Sequence, residues 1–171
     1  MTIYLVVPLL VLIAVLQATL VSRLALWGVF VDLPVLVVVA WSLLRGPREG
    51  MLWGFIAGVV VDLLSGAPFG AATLSLIAVG FLLGLGKTSV FAAVDSEVGI
   101  VFPVVMAFLA TILYDLFFLF IVWISGYAVA WLDSLLRIIL PSAVLNAVLM
   151  PVVFPAMRIL NARIGREEME W

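Results

Sequence analysis

The chain has 171 residues, of which 67% are hydrophobic and 11% charged, with a net charge of −2 and a mean hydropathy of +1.42. No hydrophilic stretch is long enough for a separate soluble domain, so nucleotide hydrolysis, nucleic-acid reading and secreted chemistry have no place to occur. Cysteine and histidine are both absent, which excludes disulfides, thiolate nucleophiles, imidazole bases and the commonest ligands of zinc, iron or haem; no cofactor is expected, and a carboxylate-only metal site has no motif behind it.

The charged residues fall between apolar runs of about twenty residues, the length an α-helix needs to cross roughly 30 Å of hydrocarbon. The first run extends from Thr2 or Ile3 to about Val21. It has no basic start and no small-residue cleavage site before Arg23, so an uncleaved first span is expected. Breakers and charges then delimit six spans, near residues 3–22, 31–44, 50–65, 71–86, 98–125 and 134–160, forming one all-α integral membrane domain over residues 1–171. Residues 128–140 also read as an amphipathic surface helix, with Asp133, Ser134 and Arg137 on one face and Leu132, Leu135, Leu136 and Ile139 around the other. The last crossing would then start at Pro141.

Six spans place both termini on one side. With both termini cytoplasmic, Arg45, Arg48, Lys87, Arg158, Arg163 and Arg166 lie inside, and only Arg23 and Arg137 lie outside, as the positive-inside rule requires. The tryptophans are expected at headgroup level, with Trp27, Trp123 and Trp131 at outer ends and Trp41 and Trp53 at inner ends.

Within the third span Gly50, Gly54, Gly58 and Asp62 recur every four residues, giving one stripe of three notches closed by a carboxylate. Small-residue stripes let helix backbones approach closely, either within the bundle or as a groove for a partner's helix. Gly80 and Gly84 repeat the pattern in the fourth span. Asp62 is expected to reach water or a capping backbone amide near the outer turn. Asp115 falls near the middle of the fifth span, where an aspartate costs about 2.5–3.5 kcal/mol on insertion scales. Its expected compensation is protonation, a water-filled cavity, or a polar partner among Tyr114, Thr111, Asn146 and Arg137. In the sixth span Pro141, Pro151 and Pro155 predict a kinked or broken helix.

The stretch VDLPVLVVVAWSLLRGPREGMLWGFIAGVVVDLLSGAPFGAATL, around Asp32 to Leu74, resembles the rod shape-determining protein MreD family. The matching features are Asp32 and Leu33 opening the second span, the notches Gly50, Gly54 and Gly58, the turn Asp62, Leu63 and Leu64, and Pro68 and Gly70 before the fourth span. The closing PSAVLNAVLMPVVFPAMRIL, with Asn146 and Pro151, is similar as well. One departure is that Pro34 follows Asp32 by two positions, where the family more often has Pro directly before the Asp. The resemblance implies a non-enzymatic scaffold of the bacterial cell-elongation machinery in the inner membrane. It would bind MreC and, through it, MreB and the peptidoglycan glycosyltransferase RodA with its class B penicillin-binding protein. It also implies a bundle similar to the membrane substrate-binding subunits of energy-coupling-factor transporters.

That likeness makes a vitamin-binding transporter subunit the alternative, although such a protein needs several polar and aromatic side chains around an outward cavity, and this chain offers few. A flippase or transferase for a lipid-linked precursor would need more basic residues at the outer side than Arg23 and Arg137.

Overall fold

In a computed structural model of the protein, residues 31–86 and 99–167 are described, with side chains to residue 163. The first apolar run, Arg23, Trp27, Lys87 and Trp171 lie outside that description, as does the side chain of Arg166.

Helix α1 (Leu33–Arg45) is apolar on every side, and Pro34 through Leu43 are all buried. A helix without a polar face is stable only when other elements surround it, and α1 touches four of them. Pro34 fits in the first turn, where a missing N–H costs nothing. The helix ends at Gly46, whose φ of +95° lies in the left-handed region that favours glycine. Pro47 then opens α2 (Pro47–Leu64). The buried face of α2 is Gly50, Trp53, Gly54, Ala57, Gly58 and Asp62, a spacing of three and four that places them on one side of the helix. The third helix, α3 (Ala71–Gly86), begins after Gly70 and buries Thr73, Leu76, Gly80 and Leu83.

Helix α4 (Val101–Ile124) buries Pro103, Ala107, Ala110, Thr111 and Tyr114, and nothing beyond Tyr114. Beyond Tyr114 the helix is more exposed, with Phe118 partly buried against the edge of the core. The short α5 (Trp131–Ser134) passes through a π-helical turn (Leu135–Ile139) into α6 (Leu140–Glu167). The wide turn has a covalent cause. Pro141 supplies no N–H, and its ring crowds the carbonyl of Arg137; the backbone relaxes by letting Leu140 N–H donate to Leu135 O, five residues back. Residues 131–139 are thus continuous with the last helix. Pro151 and Pro155 sit inside α6 without ending it, so of the kinked and broken alternatives the broken one is excluded: proline removes local hydrogen bonds, but the bonds on either side remain.

The largest contact is α2 on α3; α4 packs along α6 and against α3, and α1 lies among α2, α3, α4 and α6. Val101–Ile124 and the continuous segment Trp131–Arg163 are long and apolar enough to cross a membrane, whereas α1 and α3 are shorter apolar helices of 13 and 16 residues.

Candidate functional site

The glycine stripe of α2 is filled by α3. A Cβ added at Gly54 would lie 2.5 Å from Leu76 O, and one at Gly50 would lie 2.6 Å from Gly80 O. A Cβ at Gly58 would strike the Thr73 backbone, and one at Gly84 would strike Pro47. Both helices contribute notches, so their backbones touch along the whole pair, which is how helices associate where surrounding lipid provides no hydrophobic drive. Leu52, Phe55 and Leu63 project from α2 on the exposed side.

Asp62 closes this interface and is only 5% exposed. It accepts hydrogen bonds from the backbone N–H groups of Gly70 at 3.0 Å, Ala72 at 2.9 Å and Thr73 at 3.0 Å, and from the Thr73 hydroxyl. The first amides of α3 have no partner within their own helix. Ala71 N–H donates to Pro68 O and Leu74 N–H to Gly70 O, so Asp62 satisfies the two amides between them. A carboxylate at a helix N-terminus also opposes the positive end of the helix dipole. Asp62 is therefore a capping residue supplied by the neighbouring helix.

A second polar group lies where α1, α4 and α6 meet. Asn146 is fully buried; its Oδ1 accepts from Asp32 N–H at 3.1 Å and its Nδ2 donates to Thr111 Oγ1 at 3.1 Å. Thr111 in turn donates to Ala107 O at 2.9 Å. One carboxamide thus joins the start of α1 to α4. Asp115 stands one turn beyond Thr111, and its Oδ2 is buried with no hydrogen-bond partner among the described residues. The partner expected from Thr111 and Asn146 is absent because those groups bond to each other. Arg137 is elsewhere: it pairs with Asp133 at 2.6 Å on an exposed surface.

At the opposite end Trp41 and Trp53 are buried and stacked, with ring centroids 4.1 Å apart. Both rings are therefore turned into the bundle and not toward surrounding lipid. The glycine notches beside Trp53 let α2 carry the ring into α1, and the indole N–H of Trp41 is satisfied internally by Glu49 Oε2 at 2.9 Å. Arg45 lies over Trp41 at 5.7 Å, pairs with Glu49 at 3.6 Å and donates through Nε to Asn161 Oδ1, tying α1 to α2 and α6. Trp123 and Trp131, by contrast, are exposed and meet edge to face at 6.2 Å.

The sequence offered no signal for Asn161, whose partner is 116 positions away. Thr73 was detectable only as a hydroxyl residue just after the PFG turn. None of these groups forms a nucleophile and base pair, and among the described residues no group of acidic side chains has the arrangement of a metal site.

A family model described as rod shape-determining protein MreD matches residues 1–164. The chain belongs to the MreD family. No curated protein and no solved structure matches it. As an MreD protein it is a membrane protein with a role in determining rod shape, in a family known for a structural function and not for an enzymatic one. The glycine interface, the Asp62 cap and the Asn146 junction all bind the protein to itself, in keeping with a structural role.

Proposed function

We propose that the protein is a non-enzymatic scaffold of the cell-elongation machinery, coupling cell shape to peptidoglycan synthesis by binding MreC and, through it, MreB and RodA with its class B penicillin-binding protein. The observation that carries this reading is the MreD match over residues 1–164. In the same proposal the chain is one six-span domain of the bacterial inner membrane, similar in fold to the membrane subunits of energy-coupling-factor transporters, with both termini cytoplasmic. The contact between Arg45 and Asn161 supports that topology, because it brings the basic ends of α1 and α6 to one level, away from Arg137.

Since α3 fills the glycine stripe, docking of a single-span partner falls to other surfaces. The outer part of α4 exposes Leu116, Phe117, Phe120 and Trp123, and α6 exposes Val144, Val148 and Val152; both offer apolar contact area along a helix. The test is complementation of a rod-shaped bacterium lacking its own MreD, together with copurification of MreC. Restored rods with MreC retained is the expected result. Restored rods without MreC in the complex would refute scaffolding through that partner, and recovery of an ATPase and a coupling subunit instead would establish the transport alternative.

A further inference from the structure

We propose that Asp133 and Arg137, with the apolar track beneath them on α6, bind the headgroup and one acyl chain of a phospholipid carrying a primary ammonium group. The proposal rests on the chain crossing a membrane, and not on the scaffold role.

The depth of the pair follows from the helices. Asn146 and Thr111 are bonded at one level. Along α4, Trp123 lies about 18 Å beyond that level, and along the last helix Trp131 lies about 22 Å beyond it. The two indoles meet at 6.2 Å, so they mark one membrane boundary, where such rings concentrate. Asp133 and Arg137 lie just inward of the Trp131 ring. By helix geometry Asp133 lies opposite Trp131 and Arg137 about a third of a turn away from it, and the two side chains are 61% and 79% exposed.

An exposed ion pair at this depth faces lipid. Leu132, Leu136 and Ile138 flank it, and all three are exposed. Two and three turns inward of Arg137 the same side of the helix continues as Val144 and Val148, also exposed. From Arg137 to Val148 the helix rises about 16 Å, close to the half-thickness of a 30 Å hydrocarbon core. The surface therefore has the form of an amphiphile's complement, with two opposite charges above one leaflet's length of apolar track.

The order of the charges selects the headgroup. Along the helix Arg137 is rooted one turn nearer the core than Asp133; in phosphatidylethanolamine the phosphate lies nearer the acyl chains and the ammonium farther out. Arg137 Nε already holds Asp133 Oδ1, leaving the outer guanidinium edge for phosphate and the second carboxylate oxygen for the ammonium. Phosphatidylcholine cannot donate a hydrogen bond to Asp133, and phosphatidylglycerol places no cation there.

The experiment is native mass spectrometry of the purified full chain titrated with short-chain phosphatidylethanolamine, phosphatidylcholine and phosphatidylglycerol. Phosphatidylethanolamine should be retained over the other two by about fivefold, the upper range for an exposed charge pair. Arg137→Gln and Asp133→Asn should each abolish the preference. The double exchange Asp133→Arg with Arg137→Asp keeps an i,i+4 ion pair, and so the fold, but inverts the charge order; it should abolish the preference as well. Equal retention of the three lipids, or a preference that survives the exchange, would overturn the proposal. So would a preference for phosphatidylglycerol that survives Asp133→Asn, which is a plain anion contact. Crosslinking of Leu136→Cys to a second copy in phosphatidylethanolamine vesicles would also overturn it, because the track would then be a protein interface.

Discussion

Replacing Gly54 by alanine adds one methyl group where α2 and α3 meet. The new Cβ would lie 2.5 Å from Leu76 O and 2.8 Å from Leu76 C. Both atoms are backbone, so no side chain can turn aside to make room. Restoring an ordinary contact requires the helices to part by about 1 Å, and overpacking of this kind costs about 1–3 kcal/mol. The separation also loosens the neighbouring contacts at Gly50 and Gly58, since dispersion falls steeply with distance. Against this, alanine is the better helix former by about 1 kcal/mol, leaving a net destabilisation of about 0–2 kcal/mol. Gly54→Leu should exceed that range. Gly66 has nothing within 4 Å of its added Cβ, so Gly66→Ala serves as the control and should be neutral. The assay is thermal unfolding of the purified protein followed by tryptophan fluorescence, to which the stacked Trp41 and Trp53 contribute directly. A Gly54→Leu protein as stable as its parent would refute the close packing of α2 on α3. A Gly54→Leu protein that stays fully stable but loses MreC would show that the stripe is a docking groove.

Asp62→Ala strips the cap from α3 and should cost about 1.5–3 kcal/mol, with faster amide exchange at Ala72 and Thr73; unchanged exchange would contradict the capping role. Asn146→Ala leaves Asp32 N–H without its acceptor and should destabilise by about 1–3 kcal/mol in the same thermal assay, whereas a neutral result would show that the junction contributes nothing. Asp115→Leu should fold at least as well as Asp115→Asn, because Oδ2 has no hydrogen-bond partner among the described residues and a carboxyl group is removed from an apolar setting; folded yield in detergent decides, and loss of rod shape in a stable Leu variant would assign the carboxyl group to function. Single cysteines at Arg48 and Arg163 should label only from the cytoplasm and those at Ala67 and Val129 only from outside, so labelling of position 67 from inside would overturn the six-span topology.

The sequence alone located the described helices closely. Apolar runs bounded by charge, glycine or proline gave spans near 31–44, 50–65, 71–86 and 98–125, and the helices run 33–45, 47–64, 71–86 and 101–124, because helix formation and its termination depend on neighbours along the chain. The spacing of Gly50, Gly54, Gly58 and Asp62 placed them on one face for the same local reason, and the DLL and PFG turns carried the family. Only tertiary structure decided what each face meets. It chose α3 to fill the stripe, aimed Asp62 at the amides of Ala72 and Thr73, and turned Trp41 and Trp53 into the bundle, stacked on each other. It also gave Asn146 to Asp32 and Thr111, leaving Asp115 without them. These outcomes are competitions among groups far apart in the chain for a few partners in a medium without water, so they depend on which helices lie side by side and at what depth.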